Sequence, residues 1–77
     1  MNKGTIGSNA GFIWKIMDNC SNQQRYWSYD QLREATNMAD AELYAAIGWL
    51  ARENKVEFTT DTVTGKENVF LNVCYYF

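Results

Sequence analysis

Trp27-Ser28-Tyr29-Asp30-Gln31-Leu32 holds two independent helix-start signals in six residues. Ser28 and Gln31 have capping-box spacing: the Ser28 hydroxyl can accept from the Gln31 amide while the Gln31 side chain reaches back to the Ser28 amide. Trp27 and Leu32 stand at the two positions of a hydrophobic staple. The helix opened here is short, with Leu32 and Ala35 as its expected buried positions. Asn37 suits the left-handed residue that would close it.

Downstream, Leu43, Ala46, Ile47 and Leu50 form the apolar stripe of a second helix expected from about Asp40 to Asn54. Met38 and Leu43 again have staple spacing, but Ala39 occupies the cap. A missing cap costs about 1 kcal/mol, so this helix depends on tertiary packing. Gly48 inside it costs close to ~1 kcal/mol against Ala, which points to a close approach by another segment. The period then changes to two. Val56, Phe58 and Thr60 alternate with Glu57 and Thr59, and Asp61 to Gly65 reads as a turn with Gly65 as its φ-permissive residue. From Asn68 the alternation resumes, with Val69, Leu71, Val73, Tyr75 and Phe77 on one face.

Upstream, Ala10, Ile13, Ile16, Met17 and Cys20 keep the three-four spacing of a helix with one buried stripe. Ser8 or Asn9 can cap it, and the polar run Asn19, Ser21, Asn22, Gln23, Gln24 ends it. Arg25-Tyr26-Trp27 is a short β-prone link. The order is helix, short strand, helix, helix, strand, loop, strand. That is an α+β winged helix-turn-helix: a three-helix core with a C-terminal β-hairpin wing, one domain over residues 1–77.

Composition narrows the function. A chain of 77 residues supports one core and hardly two. It contains no His, so triads and metal sites that need an imidazole are excluded. Seven Lys and Arg against nine Asp and Glu give a net charge of −2, scattered rather than striped, whereas nucleic-acid binding draws on clustered cations. Cys20 and Cys74 lack metal-ligand spacing and read as buried thiols of a reducing cytoplasm. The first eight residues have no apolar run of a signal peptide, and no stretch approaches the ~20 apolar residues of a membrane span.

The stretch Ile6-Gly7-Ser8-Asn9-Ala10-Gly11-Phe12-Ile13-Trp14, with Ala46-Ile47-Gly48-Trp49-Leu50-Ala51-Arg52-Glu53-Asn54-Lys55-Val56, resembles a family of small bacterial and archaeal winged-helix proteins known as a domain of unknown function. The resemblance covers nearly the whole chain, and Gly-Trp-Leu-Ala-Arg-Glu is its most specific segment. Ala39 and Asn37 depart from the usual cap and the usual Gly of the turn. The resemblance implies the fold and no particular activity.

Reading a DNA major groove requires donors and acceptors early on the second helix of the turn motif. With Leu43, Ile47 and Leu50 inward, the outward strip is Ala41, Ala45, Gly48 and Arg52, flanked by Tyr44 and Trp49, with Asp40 and Glu42 at the helix start. Arg52 is the one cation of the strip, and Lys66 the one cation of the wing loop. The strip invites cover, either by the segment around Ile6 or by another chain. The last strand adds to this, because its second face holds Phe70, Asn72, Cys74 and Tyr76 where a half-wet strand should be polar, and it runs into Tyr75-Tyr76-Phe77. Clustered exposed aromatics mark binding surfaces. The expected contact residues are Ala41, Tyr44, Ala45, Gly48, Trp49, Phe70, Tyr75, Tyr76 and Phe77, and the expected partner is a second copy. No catalytic constellation, cofactor motif, metal site or small-molecule site is apparent, and we expect a non-enzymatic module. The alternative is a DNA-binding regulator using Arg52 and Lys66 on a surface assembled by dimerisation.

Overall fold

The computed structural model describes residues 1–72. In chain order the elements are α1 (Lys3–Asn19), β1 (Tyr26–Ser28), α2 (Tyr29–Thr36), α3 (Asp40–Arg52), β2 (Val56–Thr60) and β3 (Glu67–Leu71). Val73, Cys74, Tyr75, Tyr76 and Phe77 lie outside the described residues, and with them the expected continuation of the last strand.

The capping box forms as the sequence requires. Ser28 Oγ accepts from the Gln31 amide at 3.1 Å, and Gln31 Oε1 accepts from the Ser28 amide at 2.9 Å. Trp27 and Leu32 both enter the core. Asn37 closes α2 in the left-handed region at φ 57°. Ala35 is exposed, contrary to expectation. Leu32 is the one residue of this eight-residue helix that the core buries.

α3 ends at Arg52, two residues before the expected boundary, through a Schellman motif. Asn54 adopts φ 60°; its amide donates to Ala51 O at 3.1 Å and the Lys55 amide donates to Leu50 O at 2.9 Å, which satisfies carbonyls that the helix end leaves open. Ala39 stands at the cap with no side-chain hydrogen bond. The start of α1 differs more. Asn2, not Ser8 or Asn9, is the cap, its Oδ1 accepting from the Thr5 amide at 2.8 Å. Gly4 and Gly7 in the added turns lower helix propensity, but packing offsets this: a Cβ at Gly7 would stand 3.8 Å from the Trp49 ring.

The wing is more than a hairpin. β3 is the central strand of a three-stranded antiparallel sheet ordered β1-β3-β2. β1 pairs Tyr26 with Phe70, Trp27 with Val69 and Ser28 with Asn68, so it occupies the edge of β3 that a simple hairpin would leave open. Across the other edge Phe58 pairs with Val69 and Val56 with Leu71. Directly opposed residues share a sheet face, so Trp27, Val69 and Phe58 all point to the helical side. The turn between β2 and β3 is organised by Asp61, whose carboxylate accepts from the Val63 and Thr64 amides at 2.8 and 3.1 Å. Gly65 takes the left-handed conformation there, at φ 73°.

One apolar cluster joins these layers: Ala10, Ile13 and Met17 of α1, Trp27, Leu32, then Leu43, Ala46, Ile47 and Leu50 of α3, with Val56 and Val69 of the sheet. Each fully buried aliphatic contributes roughly 1.5–3 kcal/mol. Ile16 and Cys20 pack at the margin of this cluster, and the Cys20 thiol is free.

Candidate contact face between the third helix and the wing

α3 buries Leu43, Ala46, Ile47 and Leu50, and this rotation turns Ala41, Gly48 and Arg52 to the outside, where all three are exposed; Ala45 beside them is half-buried. α1 packs along the Trp49 side of α3 and leaves Trp49 half-buried. The N-terminal segment therefore covers Trp49 and not the strip. A Cβ built on Gly48 meets nothing within 4 Å, so the close approach expected at this glycine is not supplied within the described residues.

The sheet supplies the other wall. Phe58 lies on the helical side of β2 but beyond the core, and is 40% exposed. Together with Tyr29, Tyr44, Ile47, Gly48 and Glu67 it lines an open groove of about 530 Å³. Tyr29 and Tyr44 meet edge to face with ring centroids 5.5 Å apart, and Tyr44 is 47% exposed. Tyr29, the first residue of α2, donates its hydroxyl proton to Glu67 Oε1 at the start of β3. Burial, then the Glu67 carboxylate, pushes the Tyr29 phenol up from 10 to about 12, because both disfavour a second negative charge there.

A smaller recess of about 250 Å³ continues from this groove between Ser28, Tyr29, Asp30, Arg33, Tyr44, Lys66 and Glu67. Its central cation is already engaged. Arg33 donates to Asp30 and to Asp40, each at 2.5 Å, and to the Tyr44 hydroxyl at 3.3 Å. These hydrogen bonds, Asp30 first, hold the guanidinium even more firmly protonated than usual. Lys66 is exposed at the rim.

The structure thus brings Tyr44 and Gly48 together in one groove, sets Ala41, Ala45 and Arg52 on the adjoining helix face, and places Lys66 in the neighbouring recess. It does not gather Arg52 and Lys66 into a single lining. Phe70 lies elsewhere, on the opposite sheet face, half-buried with its ring 5.4 Å from Tyr26 and 5.1 Å from the Arg25 guanidinium. The cover that the apolar pattern requires for Phe70 is met in part by the chain's own β1. Tyr75, Tyr76 and Phe77 fall outside the described residues. Sequence reasoning missed Tyr29, Phe58 and Glu67, which come from three elements; the period-two alternation was a signal for Phe58, and nothing local marked the other two.

Three helices in this order, a three-stranded antiparallel sheet and a wing standing over the third helix define a winged helix-turn-helix domain. The chain belongs to the family described as "Winged helix-turn-helix domain (DUF2582)", whose family model matches residues 1–71. It is also similar to the protein BT2368 from Bacteroides thetaiotaomicron, solved by solution NMR: identity is 30%, the TM-score 0.78, and the match covers 100% of this chain and 87% of that one. Among the curated proteins none matches.

Proposed function

We propose that this chain is a non-enzymatic contact module that self-associates through the face between α3 and the wing. The observation that carries the reading is the open groove around Gly48: a floor without a side chain, walls of Tyr29, Tyr44 and Phe58, and no covering segment among the described residues. Such a surface suits close approach by another protein backbone, with aromatic side chains providing the buried area. It suits duplex DNA less well, since Asp40 and Glu42 stand in the first turn of α3 and Arg33 is neutralised by two carboxylates. No helix among the described residues is long and apolar enough to cross a membrane.

A DNA-binding regulator is the second reading. The helix-turn-helix architecture of the family favours it, with exposed Arg52 and Lys66 as phosphate ligands on an assembled dimer. Sedimentation of the native chain, run beside a gel-shift titration with duplex DNA, separates the two. A concentration-dependent dimer with no DNA shift supports the contact module. A shift that weakens steeply between about 50 and about 200 mM salt supports the regulator.

A further inference from the structure

Beside the groove, α3 presents a cation that its own chain does not use. Arg52 lies one turn beyond Gly48, is exposed, and has no hydrogen bond or ion pair among the described residues. Tyr44 lies one turn before Gly48, on the groove wall with Tyr29 and Glu67. Residues four apart share a helix face, so 44, 48 and 52 form one outward row centred on the glycine. A two-fold axis through Gly48 perpendicular to the helix exchanges the two ends of that row.

Building on the self-association reading, we propose that the groove's occupant is a second copy of this chain. The copies cross α3 against α3 antiparallel at Gly48, and each Arg52 lies on the other copy's Tyr44 ring and reaches its Glu67 carboxylate. Charge complementarity sets the direction. α3 begins with Asp40 and Glu42 and ends with Arg52, so an antiparallel crossing opposes unlike ends and a parallel one opposes like ends. Glu67 has one oxygen engaged by Tyr29, and a carboxylate accepts several hydrogen bonds. A guanidinium can stack on a tyrosine face while donating to that carboxylate. The chain's own Arg33 is held by Asp30 and Asp40 and meets Tyr44 at its hydroxyl, so it does not compete for Glu67. Without a Cβ at Gly48 the helices can come close enough for Arg52 to span the distance.

The test is symmetric disulfide trapping combined with a coupling measurement. In a Cys20→Ser, Cys74→Ser background, Gly48→Cys should cross-link to its own copy under mild oxidation, whereas Lys15→Cys on α1 should not. Mixed Tyr44→Cys and Arg52→Cys chains should form the heterodimer in excess over either homodimer. In the native cysteine background, Arg52→Glu should weaken the dimer at least about tenfold, and its effect should be non-additive with that of Glu67→Gln, which keeps an acceptor for Tyr29. A native dimer that fails to cross-link at position 48 and shows additive effects overturns this geometry and leaves self-association standing. A native chain that stays monomeric overturns both. The coupling measurement decides the matter if Gly48→Cys fails to fold.

Discussion

Tyr26 and Phe70 stand directly opposite one another on β1 and β3, ring centroids 5.4 Å apart and planes 64° to each other. This cross-strand pair gives Phe70 an intramolecular neighbour on the outer face of the sheet, and the Arg25 guanidinium lies over the same rings. Aromatic pairs of this geometry are worth about 0.5–1.5 kcal/mol beyond their burial. A double-mutant cycle of Tyr26→Ala and Phe70→Ala in chemical denaturation should return a coupling in that range. Additive losses would show that the rings do not support each other.

The two helix caps make opposite predictions. Ser28→Ala removes one half of the capping box and should lower unfolding free energy by about 1 kcal/mol. Ala39→Ser places a hydroxyl at a cap whose backbone is already extended, at φ −67° and ψ 154°, and should raise stability by about 0.5–1 kcal/mol. Thermal or urea unfolding measures both. A neutral Ala39→Ser would mean that the α3 start is already satisfied in another way.

Tyr29 makes stability depend on alkaline pH. Its folded-state pKa of about 12 lies above the ordinary 10, so the folded chain holds the phenol proton more tightly than the unfolded chain does. The associated stability is fully present below about pH 10 and is lost as pH rises from about 10 to about 12. Tyr29→Phe should therefore flatten the pH dependence of unfolding across that window. It should also remove one tyrosinate from the upper end of the ultraviolet titration. An unchanged upper end would mean that Glu67 does not hold this hydroxyl.

How much of this was legible beforehand follows from distance along the chain. The capping box at Ser28, the left-handed Asn37, the stripe of Leu43, Ala46, Ile47 and Leu50, and the turn around Gly65 are local features, and each appears where its local chemistry puts it. The start of α1 lies earlier than the Ser8 or Asn9 cap because Asn2 is a cap too, and the packing of Gly7 beside Trp49 that helps carry the added turns is tertiary. β1 has three residues, too few to show a period or to reveal that it pairs with β3. The groove was legible in part: Tyr44 and Gly48 announce an uncovered helix face, but Tyr29, Phe58 and Glu67 join them only through folding.

The family's helix-turn-helix form also makes a checkable claim about nucleic acid. With Asp40 and Glu42 opening α3 and Arg33 clamped between Asp30 and Asp40, the isolated face should bind duplex DNA weakly and without sequence preference. Fluorescence anisotropy at low salt checks this. Tight, sequence-dependent binding that Arg52→Ala and Lys66→Ala abolish would establish the regulator reading instead.

Sedimentation velocity of the native chain and of Gly48→Arg, across a wide concentration range, tests the contact face most directly. A Cβ at position 48 meets nothing within 4 Å and the groove above it is open, so the variant should fold and keep its helical circular dichroism. The native chain should sediment as a reversible dimer and Gly48→Arg as a monomer. A native chain that is monomeric throughout, or a folded Gly48→Arg that dimerises with unchanged affinity, would contradict self-association through this face.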